Sequence, residues 1–335
     1  MVKGAEAVHA ANPDVLVILS GLNFDTELSF IRDRPVSLTF NGKLVFEVHR
    51  YGFTDGGAWV DGNPNEVCEK VTANIKKTSG FLVDQGWPLF VSEFGGDLRG
   101  TNVNDNRYFN CFLALLAELD LDWAHWTLVG SYYFREGVIG MEEFYGLLTW
   151  DWTQVRSTSF LNRIQALQLP FRGPGIIQGF SYQLIFHPLT GLCIISSMPD
   201  KLMLGPCSVS NGWKYTSQKT LLVDGTNFCI RAKKEREFAT LSTTCSDPNS
   251  KWEMISDSKL HLSSKLGDGS NVCLDVDDNN NIVTNACKCL SKDKTCDPAS
   301  QWFKLVDSGK RSTTSTSTFS MFNSAEILWK ALGLI

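Results

Sequence analysis

Pro88-Leu-Phe-Val-Ser-Glu-Phe-Gly-Gly96 decides the reading of the N-terminal half. A fully apolar run leads into a single carboxylate, Glu93, and then into a Gly-Gly turn. Strands of a parallel sheet are covered on both faces, so they read as unbroken apolar runs rather than alternating ones. Three more such runs, Val15–Ser20, Leu44–His49 and Trp123–Leu128, lie on either side. Between them Val67, Val71 and Ile75 recur at helical spacing, as do Phe109, Phe112, Leu113 and Leu116. The pattern predicts a fourfold βα alternation over residues 1–170, with a last helix from Thr153 to Leu167.

Pro170, Gly173, Pro174 and Gly175 then break the pattern and mark a linker over 171–180. From 181 to 307 the texture changes to short strands, turn residues and a unit that recurs three times. Cys193 and Cys207 precede Trp213, Cys229 and Cys245 precede Trp252, and Cys273 and Cys287 precede Trp302. Three copies of one unit make an internal repeat in an all-β region. The tail over 308–335 is Ser/Thr-rich and ends in an apolar stretch, to which no function is assigned.

The formal net charge is -5, which gives no basic stripe for phosphates and disfavours nucleic acid or an anionic membrane as partner. No apolar run approaches the ~20 residues of a bilayer span, and no cofactor is called for. The first residues, Met1-Val-Lys-Gly-Ala-Glu-Ala-Val-His9, read as an amphipathic helix without the apolar core of a secretory signal. Eight of ten cysteines nevertheless fall between Cys193 and Cys296, a density suited to an oxidising compartment. That conflict leads to the expectation of missing upstream sequence. Cys68 and Cys111, in helical stretches, read as small buried hydrophobes.

In a βα barrel the C-terminal ends of the strands line the active site. The ends here present His49 and Tyr51, then Glu93, then Trp126. Taken alone, Glu93 is equally well a rim carboxylate satisfied by backbone donors, His49 a structural residue and Trp126 a core residue. Together they are a carboxylate, orienting donors and an aromatic surface, which is what glycoside hydrolysis needs apart from its second carboxylate.

Val-His-Arg-Tyr-Gly-Phe at 48–53, Val-Ser-Glu-Phe-Gly-Gly at 91–96 and His-Trp-Thr-Leu-Val-Gly-Ser-Tyr-Tyr at 125–133 follow the order of strands six, seven and eight of clan A barrels. The chain resembles plant glycoside hydrolase family 5 (cellulase-like) proteins that carry a C-terminal ricin-type domain, over about residues 1 to 307. The resemblance implies a multi-domain fold: the C-terminal half of a (β/α)8 TIM barrel, strands five to eight, followed by an all-β ricin-type β-trefoil. It implies Glu93 as nucleophile of a retaining enzyme, with His49 and Tyr51 orienting it and Trp126 stacking on the sugar. The implied partner is a β-linked polysaccharide or oligosaccharide, and the implied location is extracellular or cell wall.

Two departures stand out. Arg50 occupies a position that is commonly aromatic in the family and is expected to alter a subsite. The family's acid/base, a Glu after an Asn at the end of strand four, has no counterpart, since the only Asn-Glu, Asn65-Glu66, starts a helix. The chain is therefore expected to lack strands one to four, to be inactive by itself, and to expose an apolar inner face and unpaired edges open to self-association.

For the repeat region the resemblance implies disulfides Cys193–Cys207, Cys229–Cys245 and Cys273–Cys287, with Cys289–Cys296 as an additional clip. A zinc site at Cys287, Cys289 and Cys296 is the weaker alternative. Only the third copy keeps the Asp of a sugar site, Asp275, with Asn285 at the platform position and Ala299 where an Asn belongs. A lectin-like module and a non-functional truncated product are the readings set against the hydrolase.

Overall fold

The computed structural model describes residues 1–168, 171, 182–197 and 200–309. After a first helix, α1 (Val2–Ala11), four parallel strands form one sheet in chain order: β1 (Val17–Leu19), β2 (Leu44–Tyr51), β3 (Leu89–Gly95) and β4 (Asp122–His125). Each apolar run read from the sequence has become a strand. β2 and β3 are joined through α2 (Ala58–Asp61), α3 (Pro64–Ile75) and α4 (Phe81–Asp84), and β3 and β4 through α5 (Val103–Leu119). The first crossover departs from the expected alternation, because only a 3₁₀ turn, Ser29–Arg32, lies between β1 and β2.

The helices cover one face of the sheet. Phe46, Val48, Val91 and Phe94 point into that layer, where they meet Val67, Val71, Phe109, Phe112 and Leu113, all buried. The opposite face is half-open, with Ile18 46% exposed and Val45, Glu47, His49 and Tyr51 only partly covered. The inner face expected to be apolar is thus mixed, since Glu47, His49 and Tyr51 interrupt it. Among the described residues β1 and β4 are the edges of this sheet.

Cys68 and Cys111 correct the sequence reading: they are buried as expected, but they form a disulfide that ties α3 to α5. The last helix is also shorter than expected. Thr149 and Arg156 fold the chain back by donating to the carbonyls of Gln154 and Leu147, so α6 (Thr158–Gln165) starts only after Ser157, whose hydroxyl caps the Phe160 amide. Before it stands a hairpin that the sequence reading missed, β5 (Ser131–Arg135) with β6 (Val138–Glu142).

The C-terminal region is all-β. An eight-stranded sheet contains seven strands that close on themselves through the Trp213–Gln183 pairing, and a five-stranded sheet lies beside it. The four disulfides implied for this region are present, which leaves no thiol for the zinc alternative. The Trp of each copy is fully buried. Trp213 and Trp252 donate their indole N–H to the carbonyls of Ile194 and Ile230, each the residue after its copy's first Cys. Trp302 breaks this rule and donates to Asn65 Oδ1 in the N-terminal half.

Asn65, the Asn of the Asn-Glu dipeptide, is therefore part of a polar latch. It also donates to the Cys289 carbonyl and accepts from Ser258 Oγ. Asn63, which caps α3, donates to the carbonyls of Cys289, Ser291 and Asp293, and Arg107 on α5 donates to those of Lys294 and Cys296. The Cys289–Cys296 clip thus presents a small loop of carbonyls to the barrel-like half. Most of the linker expected over 171–180, and the tail beyond Gly309, lie outside the described residues; Phe171 is buried and its carbonyl accepts from Ser308.

Candidate active site

The C-terminal ends of β2 and β3 bring three of the four expected residues into direct contact. Tyr51 donates its hydroxyl to Glu93 Oε2 at 2.7 Å, and His49 Nδ1 stands 3.5 Å from the same oxygen. A β-bulge makes this meeting geometrically allowed. Val48 pairs with Val91 but His49 pairs with Glu93, so Ser92 is an extra residue in β3. The same slip appears against β4, where Val91 pairs with Trp123 and Phe94 with His125. In a regular strand Glu93 would follow Leu89 and Val91 into the helix layer, whereas the extra residue turns it to the open face beside His49 and Tyr51.

Trp126 follows β4 directly, and its amide donates to the Phe94 carbonyl. Its own carbonyl lies 2.1 Å from where a Cβ on Gly95 would stand, so the Gly-Gly turn is required for this approach. The Trp126–Thr127 peptide is cis.

Arg50 corrects the sequence reading. It alternates with His49 and Tyr51 and faces the opposite side of β2, buried and paired with Asp55, which also accepts from the Trp59 indole. It lines no subsite of the open face.

Two neighbours were missed. Asp25 Oδ2 lies 3.6 Å from His49 Nδ1, so that nitrogen sits between two carboxylates. Asp25 reaches it through three consecutive left-handed residues, Asn23, Phe24 and Asp25, in the loop after β1. Its signal in the sequence was its place just beyond a strand end. Tyr145, from the loop after the hairpin, tilts toward Tyr51 at 6.1 Å between ring centres, while Phe53 stacks on Tyr51 at 4.8 Å.

Burial, and then the Glu93 carboxylate it bonds, hold the Tyr51 phenol well above its usual range. Tyr51 therefore stays a proton donor to Glu93 across ordinary pH. Burial followed by nearby carboxylates raises Tyr145 in the same direction. The face consequently offers one hydrogen-bonded carboxylate, a neutral phenol and an imidazole, with aromatic rings on its rim.

Asp275, the candidate of the C-terminal half, is placed differently from expectation. It is 2% exposed, and its oxygens accept from the Val276 amide, Asn285 Nδ2 and Gln301 Nε2, with Lys288 Nζ 3.4 Å away. Asn285, which stands at the platform position, is its hydrogen-bond partner. This carboxylate holds the third copy together and presents nothing to solvent.

Residues 2–131 match the family model of cellulase, glycosyl hydrolase family 5. A glycosyl hydrolase 5 family protein of Chamaecyparis obtusa is 42% identical over 327 residues, covering 92% of this chain; the chain spans 58% of that relative's length. Among solved structures, a cellotetraose complex of endocellulase from Pyrococcus horikoshii is 19% identical, with a TM-score of 0.42 over 50% of this chain and 47% of that one. The catalytic domain of the major endoglucanase from Xanthomonas campestris pv. campestris is 20% identical, with a TM-score of 0.36 over 46% of this chain and 44% of that one. Family model and curated relative both name glycosyl hydrolase family 5.

Proposed function

We propose that the N-terminal half is the nucleophile-bearing part of a retaining β-glycan hydrolase, and that this chain by itself does not cleave polysaccharide. The observation that carries the reading is Glu93 turned by the β3 bulge onto the open face, with Tyr51 at 2.7 Å and His49 at 3.5 Å. On this reading Glu93 attacks the anomeric carbon, Tyr51 and His49 fix which of its oxygens attacks, and Trp126 supplies the surface against which the sugar lies. A retaining reaction also requires a second carboxyl group ~5–5.5 Å away to protonate the leaving oxygen. None of the four strand ends carries the Asn-Glu that supplies it in the family. Loss of a general acid removes about 10²–10⁴-fold of rate.

The C-terminal half is, on the same reading, a ricin-type β-trefoil used for packing, as the three Cys-Cys-Trp copies and the buried Asp275 suggest. Five disulfides favour an extracellular or cell-wall setting.

A leaving group that needs no proton separates nucleophile from acid. The purified chain is expected to release dinitrophenolate slowly from 2,4-dinitrophenyl β-cellobioside and to liberate no reducing sugar from β-glucan or β-mannan. Glu93→Gln should abolish the dinitrophenolate. Reducing sugar from polysaccharide that disappears in Glu93→Gln would overturn the inactivity, and dinitrophenolate release that survives the substitution would overturn Glu93 as nucleophile.

A further inference from the structure

The loop after β4 carries an aromatic surface that the strand-end site does not use. Its hairpin opposes Ser131 to Glu142, Tyr132 to Met141, Phe134 to Ile139 and Arg135 to Val138. Side chains alternate between the two faces of a hairpin, and opposed residues share a face. Ser131 and Tyr133 therefore lie on the face that also holds Gly140. The returning segment lays two indoles there: Trp150 donates its N–H to the Gly140 carbonyl at 2.7 Å, and Trp152 donates its own to Ser131 Oγ at 3.1 Å. Ser131 in turn donates to the Trp150 carbonyl. Each indole has spent its one polar atom internally, yet Trp150 is 54% and Trp152 44% exposed, beside Tyr133 at 89%.

The surface is a built one. A Cβ on Gly130 would stand 1.7 Å from the Thr149 carbonyl, and one on Gly146 2.0 Å from that of Val129, so the legs of the loop pack backbone on backbone. Arg156 ties both ends by donating to Glu142 Oε1 and to the Gly146 carbonyl. The loop is also continuous with the strand-end site: Thr127, directly after Trp126, exchanges backbone bonds with Tyr145 and Leu147, and Gly130 is four residues from Trp126, at most about 14 Å of chain.

Bare aromatic area is costly to hydrate, and rings fixed in place lose little entropy when covered. A ligand matched to this face has a flat apolar side and hydroxyls at its edge, which is the chemistry of pyranose rings. We propose that Tyr133, Trp150 and Trp152 form a platform that holds a pyranose polysaccharide running on from Trp126. The proposal rests on the reading of the strand ends as glycan-directed, but it concerns binding, not cleavage.

The test is affinity electrophoresis of the purified chain in native gels containing hydroxyethylcellulose, β-mannan or xylan. Wild type should be retarded in at least one gel. The double variant Trp150→Ala/Trp152→Ala should bind about tenfold more weakly or less, the Phe pair should recover much of the loss, and Phe238→Ala, an exposed aromatic of the C-terminal half, should match wild type. Circular dichroism checks that each variant is folded. The proposal is overturned if wild type is retarded in no gel, if the double variant binds like wild type, or if light scattering shows a dimer that only the Trp substitutions dissolve. Because the gels read binding and the dinitrophenolate assay reads Glu93, the platform and the nucleophile fail independently.

Discussion

His125 shows how one residue couples the site's scaffold to pH. It ends β4 directly before Trp126, packed edge-on to Phe94 and tilted against Phe160, with neither ring nitrogen bonded to a partner among the described residues. Burial lowers its pKa from 6.5 to about 3. Above pH 6.5 the ring is neutral both folded and unfolded, so it exerts no pH effect. Below that, the unfolded chain takes up a proton that the folded chain refuses, and stability is lost as pH falls from 6.5 toward 3. At pH 5 the loss from this one ring is on the order of 2 kcal/mol. Burial lowers His187 and His261 to about 4 in the same direction. Urea unfolding should give a lower free energy at pH 5 than at pH 7, and His125→Phe, which keeps an aromatic between Phe94 and Phe160, should shrink that difference. An unchanged difference in the variant would refute the assignment to His125.

At the scale of elements, the disulfide between α3 and α5 carries the clearest consequence. It closes a loop with a sequence separation of 43, for which chain entropy alone gives about 4 kcal/mol. Replacing both Cys68 and Cys111 by Ala should therefore lower unfolding free energy by about that much, and calorimetry showing a loss under about 1 kcal/mol would refute the estimate. The same pair marks the limit of the sequence reading. The reading of Cys68 and Cys111 as small buried residues of helical stretches agrees with their burial, but a pattern within one helix is silent on which faces of two helices meet. The strands were legible as apolar runs such as Val15–Ser20 or Pro88–Glu93, although helices cover only one face of the sheet and the other is half-open. The bulge at Ser92 was not legible, because one extra residue changes no composition; it changes only the face on which Glu93 emerges. Arg50 was misjudged for want of the same information: position in a motif says which strand, and alternation says which side. The β5–β6 hairpin was missed because its residues match neither an apolar run nor a helical period, and α6 starts after Ser157, whose hydroxyl caps it, rather than at Thr153.

For the molecule as a whole, the decisive contact is the latch at Asn65. A two-domain reading with a Pro/Gly-rich linker invites the picture of a module on a tether, yet the third copy's Trp302 has exchanged the bond its two counterparts make inside their own copies for one across the interface. Asn65 is 1% exposed and meets Trp302 Nε1, Ser258 Oγ and the Cys289 carbonyl at 3.0, 2.7 and 3.1 Å. Cutting it to Ala leaves the Trp302 indole N–H buried without its partner, at about 1–3 kcal/mol, while the Cys289 carbonyl keeps only the bond from Asn63. Pairing across the interface also makes the halves unfold together, since neither can open without stranding the other's polar groups. Wild type should accordingly show one thermal transition, with tryptophan fluorescence and far-ultraviolet circular dichroism coinciding. Asn65→Ala should lower it, and Asn63→Ala/Asn65→Ala should split it into two transitions seen differently by the two probes. A double variant that still melts in a single transition with an unshifted midpoint would mean that the apolar contacts around Phe171, Phe186 and Val306 hold the halves together without the latch.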